Sequence, residues 1–109
     1  RKSWMTDGRR FRGQHLIPQH MQDVLARYLF KGVRPGDFLS AVLANDLVQA
    51  FGQADATNEE MMWHYATWLY NHAPHHPTAC WGSWSQVNWW CEQGGADGLG
   101  LDLEVKDDG

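Results

Sequence analysis

Long apolar runs, cysteines and late cations are all scarce in this chain of 109 residues. No uninterrupted apolar stretch approaches the roughly 18 residues that cross a bilayer as a helix. No apolar leader segment opens the sequence, so a cytoplasmic setting without membrane attachment is expected. Two cysteines, Cys80 and Cys91, are too few for a disulfide framework and suit a reducing compartment. There is no glycine-rich phosphate loop and no internal repeat. A pair of carboxylates at a spacing suited to acid–base work is also missing, because Glu59 and Glu60 are neighbours and splay apart on a helix. Thirteen acidic against nine basic side chains give a formal net charge of −4, which excludes a polyanion binder by bulk charge. The length allows one domain with a modest core.

Tryptophan is what the chain has in excess, at seven residues. A domain this small has difficulty burying them all, and partly exposed tryptophans mark an interface or a ligand pocket. The charge is unevenly placed. Residues 1–34 carry eight of the nine Lys and Arg against Asp7 and Asp23, a net of +6. Residues 35–109 hold only Lys106 against eleven carboxylates, a net of −10. Such a layout steers an anionic ligand to one end, or lets the basic arm of one subunit dock on the acidic part of another.

Hydrophobic periodicity divides the chain. Residues 1–16 show none, and Gly8 and Gly13 interrupt them, so they read as a mobile basic arm. Pro18 suits a first helical turn because its missing N–H would be unpaired there. Met21, Val24, Leu25, Tyr28 and Leu29 then follow the i, i+3, i+4, i+7, i+8 template up to a C-cap at Gly32. A second helix is expected from Asp37 to Gly52, with Leu39, Val42, Leu43, Leu47 and Ala50 inward. Asn45 and Asp46 fall in its middle, facing solvent or lining a polar pocket. A third helix is expected from a Thr57–Glu60 capping box to the break at Pro74, burying Met61, Met62, Tyr65, Trp68 and Leu69. A fourth runs from a Ser83–Gln86 capping box to Gly94-Gly95, burying Trp84, Val87, Trp90 and Cys91.

The predicted architecture is all-α: a compact bundle of about four helices over residues 17–95. Residues 96–109 form an acidic, glycine-rich tail. In it Leu99, Leu101, Leu103 and Val105 alternate with Gly100, Asp102 and Glu104, the pattern of an extended strand with no mate of its own, loose or swapped onto a partner.

Three groupings invite chemistry. His64, His72, His75, His76, Cys80 and Cys91 are metal-ligand types around one loop, yet their spacing matches no standard zinc signature, so no metal site and no cofactor is assigned. A nucleophilic Cys80 or Cys91 would need an electropositive pocket to depress its pKa. The surroundings are aromatic with Glu92 nearest, so both read as buried core thiols and no catalytic residue is assigned. The third grouping is Trp81 and Trp84 with Trp89 and Trp90, beside the N-terminus of the helix after Ser83. Aromatic faces stack on nucleobases for about 1–3 kcal/mol each, while arginines and helix N-termini hold phosphate. Core and subunit contacts are the competing role for these tryptophans.

The string Pro35-Gly36-Asp37-Phe38-Leu39-Ser40-Ala41-Val42-Leu43-Ala44-Asn45-Asp46-Leu47 is followed by Ala54-Asp55 with Asn58. Trp68-Leu69-Tyr70-Asn71 with Pro74, and then Cys80-Trp81-Gly82-Ser83, complete the series. Together they resemble the central pattern of a family of small phage and prophage accessory proteins. Ile17-Pro18-Gln19-His20-Met21 and Arg27-Tyr28 fit it upstream, so the similarity spans about residues 15–91. The resemblance implies a phage setting, hence the cytoplasm of a bacterial host, and a non-enzymatic accessory role against host defence.

Two mechanisms suit the residues. In one, a homo-oligomer sequesters a nucleotide-type immune signal. Trp81, Trp84 and Trp90 stack on the base, Arg9, Arg10, Arg12 and Arg34 pair with phosphates, and Tyr70, Asn71 and Asn45 read polar groups. In the other, the protein covers a host defence protein and its acidic half mimics nucleic acid. The acidic residues are scattered or lie in the tail, which favours the first. A small DNA-binding regulator using the basic arm is a third reading, weakened by a first helix with few polar readers.

Overall fold

The computed structural model describes residues 10–73 and 79–103. Every extended element among them is helical: α1 (Gln19–Lys31), α2 (Asp37–Leu43), α3 (Leu47–Gln53), α4 (Ala56–Glu60), α5 (Met62–Asn71), α6 (Trp84–Gln93) and α7 (Gly95–Leu99). A single 3-10 turn, Gln14–Leu16, precedes them. The fold is therefore all-α, as the periodicity predicts, but with more and shorter helices than four.

Helix α1 follows Pro18, buries Leu25, Ala26, Tyr28, Leu29 and Phe30, and ends at Gly32, whose N–H donates to the Tyr28 carbonyl at 3.0 Å. The expected second helix is two helices. Asn45 adopts a left-handed conformation (φ 61°), which breaks the chain between α2 and α3. Asp46 then caps α3 by accepting the Gln49 N–H at 3.4 Å. Asn tolerates this backbone region and Asp competes for local N–H groups, so the adjacent pair ends one helix and starts another. The expected third helix also divides. Asp55, and not Thr57, caps α4 through the Asn58 N–H at 2.8 Å, and Met61 interrupts the spiral before α5. Helix α6 starts at Ser83, whose Oγ accepts the Gln86 N–H at 3.1 Å. The Gln86 amide leaves the capping box open and donates instead to the Ala79 carbonyl at 2.6 Å.

Both ends of the described chain differ from expectation. Within the arm expected to be mobile, Phe11 is buried and packs edge-on against Trp68, with ring centroids 5.6 Å apart. One large apolar side chain is enough to hold residues 10–16 to the core. The tail expected to be extended begins as α7, with Ala96 fully buried and Leu99, Leu101 and Leu103 against the core. The cause is a close backbone approach at Gly95 (φ 70°). A Cβ there would stand 2.5 Å from the Gly32 nitrogen and 2.8 Å from the Phe30 carbonyl carbon. Only glycine lets α7 meet the end of α1 this closely. Lys31 and Asp97 add an ion pair at 3.1 Å across the junction.

Tyr28 ties the core together. Its hydroxyl donates to the Cys80 carbonyl at 2.6 Å, and its own carbonyl accepts the Trp90 indole N–H at 2.9 Å. Trp68 likewise donates to the Arg12 carbonyl at 2.7 Å. The largest buried side chains thus have their polar atoms satisfied, which an apolar interior demands.

Candidate functional site

The residues expected to form a nucleotide pocket do not gather in one place. Trp90 is fully buried between Tyr28 and Trp89, so no ring face is free to stack on a base. It lies one turn after the fully buried Val87, on the core side of α6. Trp81 is half-buried next to the fully buried Cys80. Trp84 is partly exposed, but its indole N–H donates to Asp46 Oδ2 at 3.0 Å. The shallow cleft beside it is lined by Asp37, Ala41, Gln49 and Gln53. Carboxylates at both Asp37 and Asp46 repel a phosphate.

Arg34 reaches the same exposed strip of α6 and donates to Asn88 Oδ1, one turn beyond Trp84. Arg10 and Arg12 are exposed, and the Arg12 carbonyl accepts the Trp68 indole N–H. Tyr70 and Asn71 are exposed at the end of α5, where the Asn71 amide donates to the Thr67 carbonyl at 3.1 Å. Asn45 is exposed at the α2–α3 corner. Arg9 lies outside the described residues, as do His75 and His76. Among the described candidates, then, Arg34 and Trp84 meet on one strip of α6, and Asn45 lines a groove elsewhere.

Neither thiol is set up as a nucleophile. Burial pushes the Cys80 pKa well above its ordinary range, only partly offset by a backbone hydrogen bond. Burial also raises Cys91, with Arg34 pulling the other way. Among the described residues no three His, Cys, Asp or Glu side chains converge as a metal site would require. His64 stacks on Trp63 at 3.7 Å, and the Nδ1 atoms of His64 and His72 are buried without a hydrogen-bond partner.

A concavity lies between α3 and α5. Leu47 and Ala50 form one wall, Met62, Ala66 and Leu69 the other, and Ala41, Val42 and Tyr65 the floor, around a space of about 80 Å³. Asn45 and Asp46 close one end. Leu47, expected in the core, is 63% exposed. The break at Asn45 starts a new helix, so Leu47 no longer continues the buried stripe of α2.

Apolar side chains continue beyond the walls. Val48 follows Leu47 at 82% exposure, and Phe51 stands one turn further along α3. On α5, Trp63 (63%) and Tyr70 (78%) flank Ala66 at helical spacing. Sequence reasoning singled out Tyr70 and counts Trp63 among the tryptophans that a small core leaves partly exposed, but it did not find the α3 residues. The available signal was on α3, where Leu47, Val48 and Phe51 are more apolar residues than one small buried face needs.

No family model matches the chain, and no curated protein or solved structure is significantly similar to it.

Proposed function

We propose that the protein is a non-enzymatic binding protein that covers another protein with its α3–α5 face. One observation carries this reading: Leu47 is largely exposed on the wall of an apolar groove, and Val48, Trp63 and Tyr70 stand in solvent on the two helices that form its walls. Solvent-exposed apolar residues occur singly on most proteins, whereas a cluster rimmed by polar groups marks a docking surface. The raised pKa values of both thiols support a role without covalent catalysis. In the phage setting that the resemblance implies, the covered protein is a component of host defence. Sequestration of a nucleotide is the second reading, favoured by one observation, the placing of Arg34 and Trp84 on one strip of α6.

The test is site-specific photo-crosslinking in bacterial cells with an active defence system. A crosslinker at Val48 is expected to capture a discrete protein, and the same group at Gln19 is not. Absence of a product at Val48, or equal products at both positions, removes the reading. A nucleotide that co-purifies in native mass spectrometry and is lost in Trp84→Ala moves the assignment to sequestration.

A further inference from the structure

We infer that the α3–α5 groove takes an amphipathic helix of the partner, with an apolar stripe flanked by Lys and Arg, a deepening that rests on the reading above. Shape is the first argument. Two helices form the walls, so the groove offers no strand edge, and a helix laid between them presents side chains at i, i+3 or i+4, and i+7 to both walls.

Charge is the second. Asp46 stands at the corner of the groove, where its oxygens accept the Gln49 N–H and the Trp84 indole N–H. Asp55 accepts the Asn58 N–H, and Asn58 Oδ1 in turn accepts the hydroxyl of Tyr65, the aromatic floor residue, at 2.9 Å. Burial, and then the charge of Asp55, raise the Tyr65 hydroxyl pKa. None of these hydrogen-bond donors is cationic. Glu59 and Glu60 follow on α4, and residues 35–103 hold eight carboxylates and no Lys or Arg at all. An apolar groove with the Asp46 carboxylate at its end, in a stretch of chain that holds no cation, selects an apolar stripe with cations beside it.

The same charge argues against this face of a second copy as the occupant. A two-fold contact through it would bring the Asp46 carboxylates of the two copies together, where like charges repel.

Fluorescein-labelled helical peptides of about 18 residues, roughly five turns, serve as probes. One carries a Leu stripe flanked by Lys, the second has Glu in place of Lys, and the third scrambles the Lys peptide to destroy the stripe. The Lys-flanked stripe is expected to bind, and the other two are not. Leu47→Asp is expected to abolish binding. Asp46→Asn with Asp55→Asn keeps both helix caps, because Asn caps as well as Asp. This double variant is expected to weaken binding about threefold to tenfold and to flatten its salt dependence. Equal binding of the Glu or scrambled peptide, or binding indifferent to Leu47→Asp, overturns the inference. So does a dimer in sedimentation velocity that Leu47→Asp dissociates. A protein crosslinked at Val48 without selective peptide binding sinks this inference alone, whereas loss of both results removes the underlying reading.

Discussion

Trp90 and Trp84 belong to the same helix and meet opposite surroundings. Trp90 fills the core and donates to the Tyr28 carbonyl, while Trp84 lies on the surface against Asp46. Trp90→Ala is expected to destabilise the fold by about 3–5 kcal/mol, the range for a fully buried aromatic residue. Trp84→Ala is expected to stay within about 1 kcal/mol. Urea unfolding followed by far-ultraviolet circular dichroism separates the two. Buried hydroxyl and thiol groups set a second expectation at this scale. Tyr28 is raised by burial, then by Cys80 and Cys91, from an ordinary 10.0, and Cys80 is raised by burial from 9.0. Above about pH 9 the unfolded chain releases protons that the folded chain retains, so stability falls as pH rises. Each group contributes up to about 1.4 kcal/mol per pH unit to this fall. Denaturation midpoints in an alkaline series check it, and Cys80→Ala is expected to give the shallower decline.

The helices show which parts of the fold are legible in a sequence. Helix α1 and the start of α6 read directly, because Gly32 and Ser83 are local signals that act on their own backbone. The breaks at Asn45 and Met61 do not, since the apolar spacing runs through both and only the backbone conformation departs from it. Helix α7 was illegible for another reason. Its glycines look like a loose tail, yet Gly95 is held by contact with Gly32, more than sixty residues earlier. Gly95→Ala is expected to lower stability by more than about 2 kcal/mol, because the new Cβ meets backbone and the φ of 70° strains it. Gly52→Ala on α3, where nothing lies within 4 Å, is expected to raise stability by about 0.4–1 kcal/mol. Differential scanning calorimetry of the two variants tests the contrast.

At the scale of the molecule, the candidate site was legible only as chemistry, not as a place. Excess tryptophan pointed to a partly exposed interface or an Arg-lined nucleotide pocket, and the acidic half to mimicry of nucleic acid. Locating it required knowing that the core takes Trp68 and Trp90, leaving Trp63 and Tyr70 outside beside α3. Arg12 and Arg34, both in the basic part of the sequence, meet different helices, Arg12 at Trp68 of α5 and Arg34 at Asn88 of α6, because one precedes α1 and the other follows it. The groove also has a consequence for colloidal behaviour. Leu47→Asp combined with Val48→Asp is expected to leave the thermal midpoint within a few degrees, since both side chains are already solvated. The same variant is expected to bind less of the dye ANS than the parent protein. A large drop in midpoint would place these residues in the packing instead.

The unequal solvation of the indoles sets two optical extremes. Trp68 and Trp90, buried and each hydrogen-bonded to a carbonyl, are expected to emit at short wavelength and to be shielded from dissolved iodide. Trp63 and Trp84 are expected to emit further to the red and to be open to the quencher. A protein seated between α3 and α5 shades Trp63 and leaves Trp84 accessible, whereas a ligand on the α6 strip does the reverse. Iodide titrations of Trp63→Phe and Trp84→Phe, with and without the bound molecule, therefore report which face is occupied without any attached label.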